Sequence, residues 1–117
     1  MDIQLVTATT SKVKVNMFPC GNTSLIEVSE EGDGSYSVKV STTCQKAQRY
    51  VEGLGPLSLV DLTDKTVSKV FKDFISSDMS ANCLLPSGVL TAAWVEAGMI
   101  ARSMTAKGIP ICVEFVP

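Results

Sequence analysis

The 117-residue chain contains no histidine. That absence removes Ser-His and Cys-His nucleophilic catalysis, imidazole-ligated zinc sites and the usual proton shuttle near neutral pH. Any chemistry must come from thiols, carboxylates, lysines, hydroxyls or a bound group. Basic runs are missing too. Ten Lys and Arg are scattered among twelve Asp and Glu, giving a net charge of −2, so neither a nucleic-acid face nor a polybasic membrane patch is expected. No C-x-x-C pair occurs among the four cysteines at positions 20, 44, 83 and 112, which excludes a thioredoxin-type motif and a zinc ribbon. A G-x-x-x-x-G-K phosphate loop is absent. The first ten residues, MDIQLVTATT, have an acidic second position and no basic flank, unlike a secretory signal. The most apolar window, 83–101, is interrupted by Pro86 and Glu96, which suits a buried helix better than a membrane span. A cytoplasmic protein with reduced thiols is the resulting expectation.

What is present fits one folded domain over residues 1–117, with residues 1–11 as a flexible or edge-strand extension. Apolar residues make up 45% of the chain, enough for a modest core. Polar and apolar residues alternate over 12–18, with Val13, Val15 and Met17 on one face, and again over 35–41, with Tyr36, Val38 and Val40 on one face. Between them 23–29 reads as a further strand, and PCGN and EEGDG as tight turns. These three strands form an antiparallel meander. Then the period changes. Cys44, Ala47, Val51 and Leu54 share a helical face that opens behind Thr42 and Thr43 and stops at Gly-Leu-Gly. Residues 55–64 have no decisive pattern. Val67, Val70, Phe71, Phe74 and Ile75 make a second apolar stripe. A last helix is expected from Pro86 to about Met104, and a closing strand over Ile111–Val116. The class is α+β: an antiparallel meander plus a C-terminal strand, packed in two layers against about three helices.

Chain direction then places the cysteines. With the first strand running up, Cys20 lies at its upper end, and so does Cys44 after the third strand. A helix running down and one returning up bring Cys83 to the same end. Cys112 belongs inside the closing strand, in the core. Cys44 and Cys83 stand at helix starts, where the dipole favours a thiolate, and a thiolate is a metal ligand or a nucleophile. Gly21 and Gly88 are small enough for a bound group to approach the backbone, and Pro86 at the helix start completes that candidate set. Glu96, midway along an apolar helix, is placed on its exposed edge; Trp94 is assigned to core packing.

At these residues the chain resembles a family of small uncharacterised proteins from methanogens and other anaerobes. The shared pattern is PCG at 19–21, STTCQ around Cys44, CLLPSGVLTAAWVEAG from Cys83, and the ending ICVEF. The resemblance covers nearly the whole chain after residue 12 and supports the three thiols as a set. Members tend to carry a further Cys and His before the third cysteine, where this chain has DMSAN, and Lys where it has Thr91.

Three functions are compatible with this. The first is binding of zinc, another soft metal ion or an iron–sulfur cluster through Cys20, Cys44 and Cys83. Another is a non-enzymatic module, a homodimer built on the small-residue helix or the last strand. The third is a thiol-dependent enzyme using Cys20 or Cys83, weakest because no histidine activates the thiol.

Overall fold

The alternating stretches become a sheet because each presents one apolar face. In this computed structural model, which describes residues 10–117, β1 (Ser11–Met17), β2 (Asn22–Glu30) and β3 (Tyr36–Thr42) form an antiparallel sheet in the order β1-β2-β3. Register sets Val13, Ile26 and Val40 in one cross-strand row and Ser11, Val28 and Val38 in another. On the opposite face Lys12, Glu27 and Lys39 share a row, so opposite charges are neighbours there. The expectation for residues 1–9 lies outside the described residues.

The helices are α1 (Gln45–Leu54), α2 (Leu59–Thr63), α3 (Lys69–Ile75), α4 (Leu85–Glu96) and α5 (Arg102–Thr105). α1 and α4 pack on the sheet, and α3 bridges α1 and α4. They close over one hydrophobic cluster in which Ile26, Val28, Leu57, Val70 and Val89 have no exposed surface. The result is the two-layer α+β class. Among the described residues, no helix is long and apolar enough to cross a membrane.

Residues 55–64 resolve into a bridge and a helix. Leu57 exchanges two 2.8 Å backbone hydrogen bonds with Tyr36. Asp61 Oδ2 accepts the Ser58 N–H (2.8 Å) and hydroxyl (3.0 Å) at the start of α2, while Oδ1 accepts the Lys69 N–H (3.0 Å) at the start of α3. Burial pushes the Asp61 carboxyl up. Hydrogen bonds from Ser58 and Lys69, with the Lys69 charge, outweigh that and hold it below the ordinary value of 3.8. A depressed folded-state pKa adds stability that is complete above the unfolded value and is lost as pH falls through the folded one. The urea midpoint should therefore hold down to about pH 5 and then drop. Asp61→Asn should lower the midpoint at neutral pH and flatten that acid limb. The flattening is partial, because hydrogen bonds from Ser35 and Thr66 also hold Asp33 and Asp64 low. Acid limbs of equal steepness in the two proteins would refute the assignment.

Several boundaries differ from expectation, each for a local reason. Ser68 caps α3 by accepting the Val70 N–H, which leaves Val67 outside the helix. Ile75, at its far end, is exposed. α4 stops at Glu96 rather than near Met104: Gly98 takes φ +81° and the Met99 N–H reaches back to Trp94 O at 2.8 Å, a left-handed helix stop. Gly88 does not open room for a bound group. A Cβ there would stand 2.5 Å from Val15 Cγ2 and 2.8 Å from Ile26 Cδ1, so its smallness lets α4 lie against the sheet. Ala92 and Ala93 are fully buried within the same chain, so this small-residue face is occupied.

The closing strand is not formed. Ile111–Val116 has no ladder partner among the described residues, and Cys112 is exposed rather than in the core. Alternation reports one apolar face but cannot supply an edge to pair with.

Candidate functional site at the cysteine end

The β1–β2 turn is built around Gly21. Its N–H bonds to Met17 O at 2.8 Å with φ +72°, a left-handed conformation that favours glycine. Cys20 therefore rides on an exposed turn, its thiol directed to Met17 O at 3.7 Å. The Asn22 backbone N–H, and then the Asn22 side chain, hold the Cys20 thiol below its ordinary value.

A hydroxyl latch ties this turn to the head of α1. Thr43 Oγ1 donates to Asn22 Oδ1 (2.8 Å) and accepts the Thr23 N–H (3.3 Å), while the Thr43 N–H bonds to Thr23 O (3.3 Å). One residue earlier, Thr42 Oγ1 shares a 2.7 Å hydrogen bond with Ser24 Oγ and accepts the Cys44 N–H at 3.1 Å. Cys44 is the N-cap of α1 and packs half-buried against the core.

Cys83 arrives from the other side. Its N–H bonds to Ser80 O at 3.0 Å, and its sulfur accepts the Leu85 N–H at 3.5 Å. The helix begins at Leu85, so Pro86 stands second in it and is buried. Tyr50, which the sequence reading did not single out, helps position this corner. Its hydroxyl donates to Val70 O (2.6 Å) and its ring meets Phe74 edge-on at 6.3 Å. Burial pushes that hydroxyl well above the ordinary phenol range, with the charges of Asp73 and Cys83 adding to the effect. A buried tyrosine spaced three residues from both Ala47 and Gly53 was the signal available: it lies on the helical face of Cys44, Ala47, Val51 and Leu54.

The expected ionisation of Cys83 is reversed. Burial pushes its thiol up, the Leu85 N–H pulls it back, and the charges of Cys20 and Cys44 push it up further. Desolvation outweighs the helix start, and the thiol held low is instead Cys20 on its turn. All four cysteines are free thiols. Among the described residues, no group of three or more His, Cys, Asp or Glu side chains is arranged to hold a metal ion.

Two other features differ from the sequence reading. Glu96 is not on an exposed edge; its side chain has no exposed surface. It accepts the Ser11 hydroxyl (2.8 Å), the Glu30 N–H (2.9 Å) and Arg102 Nη2 (3.1 Å). Trp94 is partly exposed. Its Nε1–H donates to Leu62 O at 2.8 Å, and it walls an open groove of about 860 Å³ with Leu62, Lys65, Phe71, Leu90 and Thr91.

The fold defines a small α+β protein: a three-stranded antiparallel meander with helices packed on its apolar face, carrying four free thiols. The chain belongs to a family of unknown function, DUF6951, whose model matches residues 11–108. No match was found among curated proteins or among solved structures.

Proposed function

We propose that this protein binds a soft metal ion or an iron–sulfur cluster in the cytoplasm through Cys20, Cys44 and Cys83. One observation carries the reading: the Thr43 hydrogen bonds to Asn22 and Thr23 tie the turn that bears Cys20 to the head of α1, which Cys44 caps, although the two cysteines lie far apart in sequence. Three thiolates leave one coordination position for an outside ligand, which suits a carrier, scaffold or sensor. Without a cation, like charges keep such thiols apart and protonated; a bound cation reverses that preference and releases protons. Cys20 has the least packing to give up in moving inward, since it is exposed on a turn. Gly21 stays in the proposal because nothing stands within 4 Å of a Cβ built there; Gly88 does not. The cysteine pattern resembling proteins of methanogens and anaerobes favours a setting where thiols stay reduced.

Anaerobic titration with Cd²⁺ or Zn²⁺, followed by ultraviolet thiolate-to-metal absorption, tests this, with iron and sulfide reconstitution read in the visible. About one ion or cluster per chain is expected. Cys20→Ser, Cys44→Ser and Cys83→Ser should each weaken binding by at least about tenfold, while Cys112→Ser leaves it unchanged. Equal binding by the triple serine variant, or no absorption change at all, would end the proposal.

A further inference from the structure

The last nine residues present an unmatched pattern. Ile109, Ile111, Val113 and Phe115 alternate with Pro110, Cys112 and Glu114, and the four apolar side chains are 75–83% exposed. A segment with one apolar face is built to lie along a sheet edge with that face over a core. Among the described residues it does not: these extend 53 Å along the long axis against 31 and 25 Å across, and residues 109–117 pair with none of them.

An edge that fits is available. Among the described residues β1 is an outer strand, pairing only with β2. The outer side of β3 is partly taken by the Tyr36–Leu57 bridge. Val13 and Val15, on the core face of β1, are only partly buried, so the core is incompletely covered on that side. Charge fixes which way the tail must face. If Ile111, Val113 and Phe115 continue the core face, then Glu114 falls on the opposite face, where β1 carries Lys12 and Lys14. α5, which precedes the tail, is anchored beside this strand, since Arg102 hydrogen-bonds Ser11 Oγ, at the first residue of β1, at 3.1 Å.

We infer that residues 109–116 pair as a strand with the open edge of β1 in a second copy of this chain, each copy giving its tail to the other. Reciprocal exchange makes a closed twofold dimer in which one segment satisfies both an unpaired edge and an uncovered apolar face. The inference is independent of the thiol site.

The full-length protein tests it by light scattering together with amide hydrogen exchange. The expected result is twice the chain mass, with amides of 111–115 and of β1 protected. Val113→Pro, which removes a ladder donor, and Phe115→Asp, which charges the apolar face, should each return the protein to chain mass and expose both sets of amides. The body of the fold should keep its protection, since both side chains lie largely exposed outside the core. Glu114→Gln should leave a dimer that dissociates more readily. A monomer with protected tail amides would mean the tail folds onto its own sheet, and a monomer with freely exchanging tail amides would mean it pairs with nothing. A dimer unaffected by Val113→Pro and Phe115→Asp would mean another surface holds it. Each of these overturns the inference.

Discussion

Glu96→Ala should lower stability by roughly 2–4 kcal/mol, read from urea unfolding at neutral pH. The carboxylate is fully buried and, among the described residues, joins Ser11 at the start of β1, the Glu30 N–H at the end of β2 and Arg102 in α5. Truncation leaves the buried Ser11 hydroxyl without this acceptor, at about 1–3 kcal/mol, and the part-buried Glu30 amide without its own, at less. Arg102 adds less. Its side chain is 54% exposed, so it can turn to water, and the full cost of orphaning a buried charge does not apply. Glu96→Gln keeps an acceptor of the same shape and should cost about half as much. A loss below about 1 kcal/mol for Glu96→Ala would show that water replaces the carboxylate readily.

Gly88→Leu should be as damaging, at about 3 kcal/mol, for a steric reason. A methyl at this position already meets Val15 at 2.5 Å and Ile26 at 2.8 Å. Ile26 is fully buried and cannot swing aside, and Val15 is held in the ladder opposite Ser24. Gly88→Ala should be milder. The helix gains about 1 kcal/mol of propensity from alanine, which offsets part of an overpacking cost of about 1–3 kcal/mol. Adding Val15→Ala to Gly88→Ala should recover some of the loss, with a coupling of at least about 0.5 kcal/mol. Thermal melts of the two single variants and the double variant measure this, and strict additivity would mean α4 does not rest on Val15.

The parts of the fold that were legible in the sequence are those governed by a local period. The three strands, the helix behind Cys44 and the stop at Gly55 follow from alternation, helical spacing and glycine placement. What could not be read depended on partners distant in sequence. Glu96 looks like a surface acid on any helical projection; only the meeting of α4 with Ser11 and the Glu30 amide makes burial favourable. Gly98 reads as a small residue inside a helix until its positive φ is seen. Ile111–Val116 carries every local mark of a strand, yet a strand also needs an edge. At the cysteines, the places of Cys44 at the head of α1 and of Cys83 just before α4 were legible, but the ionisation of Cys83 was not. Its partial burial against the core outweighs its place before a helix.

One carboxylate, Asp61, terminates both α2 and α3. The two short helices are tied at one point: unwinding α2 removes the acceptor of the Lys69 N–H at the head of α3, and unwinding α3 removes one of the donors that hold the Asp61 carboxylate. The pair should open and close as a single cooperative unit, so that a disturbance reaching α2 is transmitted to α3, the helix that precedes Cys83.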